Sequence, residues 1–123
     1  MTARPLLFDT NAILLLAQGN ANLLEIASIA KITTSVLNRF EIFSYWKITE
    51  KEIKLFEDFF NGIDLLELSN SIYEIAIIFR RKYKMKAIDS IIAASAFVYN
   101  TPLVTCDKDF QNIEEVTVII IDL

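Results

Sequence analysis

The 123 residues contain no histidine and a single cysteine, Cys106. These absences exclude Ser-His-Asp and Cys-His nucleophilic catalysis, imidazole acid–base pairs, and zinc sites built from Cys and His. They also exclude an internal disulfide, which fits a reducing compartment. Glycine and proline occur only twice each, too few for flexible linkers or a disordered segment. No apolar run approaches the roughly 18 residues that span a bilayer, and no basic stretch leads into an apolar segment with a cleavage site at the N-terminus. A cytoplasmic protein is expected.

Positive charge is also scarce: 12 Lys and Arg stand against 16 Asp and Glu, a net charge of −4. A broadly basic nucleic-acid-binding surface is therefore excluded. A local basic strip remains at Arg80, Arg81, Lys82, Lys84 and Lys86. What the chain does have is a 54% hydrophobic composition with nine Phe, enough for one continuous core and a single domain over residues 1–123. The chemistry left to it is that of carboxylates, which suit hard cations such as Mg²⁺ or Mn²⁺.

Along the chain, Leu6-Leu7-Phe8 is a short apolar run that stops at Asp9, and it reads as a buried strand. Helices are predicted over 11–18 and about 22–29, separated by the turn pair Gly19-Asn20. A strand over 31–34 leads to Thr34 and Ser35, either of which can cap a helix from Val36 to about Trp46. Its inward face is predicted to carry Val36, Leu37, Phe40 and Phe43, with Glu41 on the flank. A helix over 49–61 stops at Asn61-Gly62, a strand is placed at 63–68, and Ser69, Asn70 or Ser71 caps a helix reaching Tyr83. The segment AIDSIIAASAFVY, 87–99, reads as a central helix whose small residues permit close packing. Strands at 103–106 and 116–121 close the chain, the second at the margin of the sheet or in an interface. Helices alternating with short apolar strands indicate an α/β sandwich with a mainly parallel sheet.

Four carboxylates stand out: Asp9 and Asp107 just after apolar strands, Asp89 in the first turn of a helix, and Glu41 on a helix flank. Each has a local explanation. Asp9 can cap the following helix, Glu41 can reach water or pair with Arg39 or Lys47, and Asp89 can complement a helix dipole, as the basic strip can at a helix end. Yet the ends of parallel strands converge on one edge of a sheet, which is where ligands bind in such folds. Carboxylates gathered there repel one another, and a divalent cation is their natural counter-charge.

The segments FDTN, RFEI with Glu41, AIDSIIAASA and LVTCDKDF, in that order, resemble the acidic motifs of PIN-domain proteins, and most closely the small VapC-like ribonuclease toxins of prokaryotic toxin–antitoxin pairs. The resemblance covers essentially the whole chain. It implies a three-layer α/β/α fold and a Mg²⁺- or Mn²⁺-dependent ribonuclease, usually dimeric, with a cognate antitoxin whose C-terminal segment covers the acidic groove. By position, Asp9, Glu41, Asp89 and Asp107 would form the metal site, Asn11 and Thr105 would support it by hydrogen bonding, and Asp109 would be a second acid in the last motif. Cys106 departs from the pattern, standing where many relatives carry a polar residue such as Asn. Arg80, Arg81, Lys84 and Lys86 would then contact the RNA backbone and offset its repulsion by the acids. The alternatives are a PIN-like scaffold without activity and a housekeeping PIN nuclease. A haloacid-dehalogenase-type phosphatase is disfavoured because Asn11 stands where such enzymes resemble one another in a second Asp.

Overall fold

A computed structural model describes residues 3–123. Five strands form one sheet: β1 (Pro5–Phe8), β2 (Lys31–Ser35), β3 (Asp64–Leu66), β4 (Leu103–Thr105) and β5 (Val118–Ile120). Their order is β3-β2-β1-β4-β5, and every neighbouring pair is parallel. The predicted marginal strand is the edge strand β5, shorter than the apolar run around it.

Alternation along the central strands builds the layers. Leu7 and Leu103 point to one face of the sheet and Phe8 and Val104 to the other, as a two-residue period requires. On the first face lie α5 (Asn70–Tyr83) and α6 (Ala87–Val98), packed through Ile72, Ala76, Phe79 and the small-residue run Ala93–Ala94. On the second lie α1 (Thr10–Ala17), α2 (Ala21–Ile29), α3 (Val36–Phe43) and α4 (Glu50–Asn61), packed through Ile13, Leu23, Ile42, Phe56 and Phe60. The result is the expected three-layer α/β/α sandwich. No single helix among the described residues is long and apolar enough to cross a membrane.

Local signals set the element boundaries. Gly19 adopts φ +83°, a conformation open to glycine, and lets the chain turn so that the Asn20 side chain caps α2 at Leu23 N–H. Thr49 and Glu52 form a reciprocal capping box at the start of α4. Ser69 is the residue that caps α5.

One expectation needs correction. Helix α3 stops at Phe43, and its buried residues are Asn38 and Ile42, whereas Phe40 is 62% exposed. Asn38 and Ile42 are one turn apart, and Phe40 sits about 200° round the helix from Asn38. The buried hydrogen bonds of Asn38, a polar residue, select the face that apolar spacing alone assigns to Phe40.

Topology decides where ligands can reach. The chain leaves β1 toward β2 and β3, then crosses back through α5 and α6 to place β4 on the other side of β1. The carboxyl ends of β1 and β4 therefore flank the point where the connections diverge, the usual binding crevice of an open parallel sheet.

Candidate metal centre and nucleic-acid interface

Asp9 follows β1 and Thr105 ends β4, so the crevice places them side by side across a sequence separation of 96 residues. Asp9 is buried and serves two ends at once. Its Oδ1 accepts from Ala12 N–H at 2.9 Å, capping α1, and its Oδ2 accepts from the Thr105 hydroxyl. Both oxygens keep lone pairs beyond these bonds. Thr105 Oγ1 also accepts from Asp107 N–H at 3.0 Å, and Asp107 Oδ1 accepts from Asp109 N–H at 2.9 Å, which starts the short 3-10 turn Lys108–Phe110. The capping explanation of Asp9 and its place in the acidic crevice thus hold together.

Glu41 reaches the same crevice from α3. Its Oε1 accepts from Thr10 Oγ1 at 2.7 Å, and Thr10 Oγ1 in turn accepts from Asn38 Nδ2 at 3.1 Å. Asn38 is buried, and its Oδ1 accepts from Ser35 N–H at 3.1 Å, closing the capping box of α3. Thr34 Oγ1 lies 2.9 Å from the Phe8 carbonyl and 3.1 Å from Asn38 Oδ1, so its single proton serves one acceptor at a time. Neither Arg39 nor Lys47 holds Glu41: their cations lie over the Phe43 and Trp46 rings, each 4.7 Å from the centroid.

Charge couples these acids through space. Burial raises the Asp9 carboxyl above its ordinary value, against the pull of its Thr105 and Ala12 hydrogen bonds, and the charges of Asp107 and Asp89 add to the rise. Asp89, half-buried in the first turn of α6, is raised first by burial and then by Asp107, with Glu41 and Asp109 contributing and Lys86 opposing. Among the described residues no three acidic or thiol groups close into a compact ligand set. The cluster is loose, joined by repulsion.

The donor set fits a hard divalent cation. It is all oxygen, and of the groups that shift Asp9 and Asp89 only Lys86, acting on Asp89, is a cation. Cys106 adds no competing thiolate, because burial and then the Asp9 charge push its thiol up.

The other predicted residues divide. Thr105 and Asp109 stand at the crevice, while Asn11 is solvent-exposed and its side chain makes no hydrogen bond among the described residues. Lys84 and Lys86 border a hollow shared with Asp89 and Asp109, whereas Arg80 and Arg81 line a different one with Ile77. Thr10 and Asn38 carry the contacts expected of Asn11, and sequence reasoning missed them. The available signal was Asn38 three residues after Ser35, a capping-box spacing, and three before Glu41, hence on the same side of α3.

The defining sequence pattern of the PIN domain matches residues 6–116. The chain belongs to the PIN-domain family. Solved structures share its fold. A toxin–antitoxin complex from Klebsiella pneumoniae superposes with a TM-score of 0.81 at 24% identity, covering 93% of this chain and 95% of that one. VapBC2 from Rickettsia felis, bound to a DNA fragment from its promoter, gives 0.81 at 17% identity over 96% and 99%. VapBC-1 from nontypeable Haemophilus influenzae gives 0.79 at 20% identity over 94% and 97%. At these identities the likeness concerns the fold. A comparison with curated protein sequences finds no match. In this PIN domain the acids of the crevice come from four separate segments, which only the parallel sheet brings to one edge.

Proposed function

We propose that this PIN domain, a single domain spanning the chain, is a cytoplasmic metal-dependent endoribonuclease acting as the toxin of a toxin–antitoxin pair. The observation that carries the reading is the convergence of Asp9, Glu41, Asp89 and Asp107 on the β1–β4 crevice, with Asp9 and Asp89 both raised by burial and by their acidic neighbours. Asp9, Asp89, Asp107 and Glu41 would hold Mg²⁺ or Mn²⁺. The ion would supply Lewis-acid polarisation of a phosphoryl oxygen and a water acidic enough to act as nucleophile near neutral pH.

The chain's own groups set the orientation. Ala12 N–H and the Thr105 hydroxyl fix the plane of the Asp9 carboxylate, and Thr10, held by Asn38, fixes Glu41. The Thr105 hydroxyl also accepts from Asp107 N–H, so one side chain links the Asp9 carboxylate to the backbone of Asp107. No imidazole is required, consistent with its absence from the sequence.

A partner protein is part of the reading. A hollow of about 430 Å³ lined by Leu14, Ile42, Tyr45 and Phe56 opens beside Thr10 and Glu41. An antitoxin segment with apolar side chains and a basic tip suits it, in keeping with the Klebsiella pneumoniae structure being a toxin–antitoxin complex. Tyr73 and Ile77, exposed one turn apart on α5, provide an apolar surface for a homodimer.

Cleavage of RNA by the purified chain with Mg²⁺ or Mn²⁺ tests the reading. Inactivity toward every RNA tested, together with no measurable metal binding, would overturn it. A finer check addresses orientation. Thr10→Val removes the donor to Glu41 and the acceptor of Asn38, and is expected to lower cleavage about 10- to 100-fold, as losses of ligand-orienting contacts do. Thr10→Val should then add little to Glu41→Gln, because Thr10 acts through that carboxylate. Full additivity of the two losses would show that Thr10 does not work through Glu41.

A further inference from the structure

Lys84 and Lys86 come from the tight connection between α5 and α6, and Lys108 comes from the 3-10 turn after β4. These distant segments meet around one hollow of about 410 Å³ that also contains Asp89 and Asp109. The backbone is shaped for this meeting. Lys84 ends α5 in the left-handed conformation, φ 55°, which residues with a Cβ seldom adopt. That turn brings the chain into α6 within three residues, and Lys84 and Lys86, both in this connection, line the same hollow.

Of the remaining cations of the strip, Lys82 is paired and the two arginines border another hollow. Lys82 Nζ pairs with Glu115 at 3.2 Å, and the Tyr83 hydroxyl donates to the same carboxylate. Arg80 Nε donates to the Met85 carbonyl at 3.4 Å, and Arg80 and Arg81 border the separate hollow with Ile77. Lys84, Lys86 and Lys108, like the two arginines, make no salt bridge among the described residues, but unlike the arginines they share their hollow with the carboxylates Asp89 and Asp109. Three unpaired ammonium groups beside an acidic crevice suit a ligand that brings its own negative charges at intervals. A phosphodiester backbone has that character. Compact lysine charges contact phosphates without reading bases, and at physiological salt only cations within about 8–10 Å of a phosphate act on it strongly.

We propose that Lys84, Lys86 and Lys108 form a phosphate track that leads single-stranded RNA into the carboxylate crevice from the α5–α6 side, and that Arg80 and Arg81 lie outside it. The proposal rests on the nuclease reading above. It assigns a role to Lys108, which the basic strip does not include, and it gives the substrate a direction of approach.

The test uses the full chain and a short unstructured RNA oligonucleotide. Binding is measured over a salt series in chelator, and steady-state cleavage in Mn²⁺. The Lys84→Gln/Lys108→Gln pair is expected to flatten the slope of log affinity against log salt by about 1.4, since each single-strand phosphate contact contributes about 0.7. KM should rise roughly tenfold with kcat within about twofold, as for a contact made equally before and during reaction. A charge-matched Lys51→Gln/Lys54→Gln pair on the exposed side of α4 should leave the slope unchanged. If the double variant fails to fold, Lys108→Gln alone reports a slope change of about 0.7. Wild-type cleavage with an unaltered slope and KM in the lysine variants would overturn the track and leave the nuclease reading standing. An equal flattening by Arg80→Gln/Arg81→Gln would also overturn it. A wild-type chain that neither binds nor cleaves RNA would remove both proposals.

Discussion

Asp9→Asn is expected to lower RNA cleavage at least about 10³-fold while leaving the melting temperature within about 4 °C of wild type. The first half follows from position. Asp9 is the buried member of the cluster, at the divergence point between β1 and β4, and a neutral amide there removes the charge that would hold a cation. The second half follows from its hydrogen bonds. Asn caps a helix about as well as Asp, so the Ala12 N–H bond, 2.9 Å in the wild type, survives. The Thr105 hydroxyl has lone pairs to accept from the new amide, though it loses its own acceptor. Relief of the repulsion from Asp107 and Asp89 offsets that loss. Single-turnover cleavage and thermal unfolding of the same preparation check both halves. A folded variant retaining more than about a tenth of the wild-type rate would remove Asp9 from the reaction. Collapse of the fold would instead mark its cap as the dominant role.

Most of the fold could be read from the sequence because its signals are local. Apolar runs of three or four residues end at Asp9 and Asp107, caps stand at Asn20, Ser35, Thr49 and Ser69, and both faces of the sheet are written into the alternations Leu7-Phe8 and Leu103-Val104. Strand order could not be read, since nothing near residue 103 says that β4 pairs with β1 rather than with β3. The site shows the same division. Acids at strand ends were recognisable by type and place, but the groups that orient them are small hydroxyls and one amide whose partners lie 28 to 96 residues away. Asn11 illustrates the limit: it neighbours Asp9 in sequence, but it precedes the buried pair Ala12-Ile13 and turns outward, while Thr10 turns toward Glu41.

Saturating Mn²⁺ is expected to raise the melting temperature of the wild-type chain by about 8–14 °C, and chelation to reduce cleavage to background. At a hundredfold excess over the dissociation constant, a ligand bound only by the folded state contributes about 2.7 kcal/mol, because the unfolded chain scatters these acids. The pH dependence carries the sharper test, since its sign reverses with the ion. In chelator, Asp9 and Asp89 have folded carboxyls raised above their ordinary 3.8. The folded state then binds protons more tightly than the unfolded state does. This contribution to stability is therefore fully present below the ordinary value and is lost as pH rises through the raised one. Asp9→Asn/Asp89→Asn should thus gain on wild type as pH increases in chelator, the larger part coming from buried Asp9 because water screens half-exposed Asp89. In Mn²⁺ the order inverts. Ligands must be deprotonated to bind, so wild type gains on the variant as pH increases from acid to neutral. Unfolding curves of both chains across that range, with and without the ion, decide the matter. A difference between them that keeps the same sign in chelator and in Mn²⁺ would mean that these two carboxylates do not share a cation.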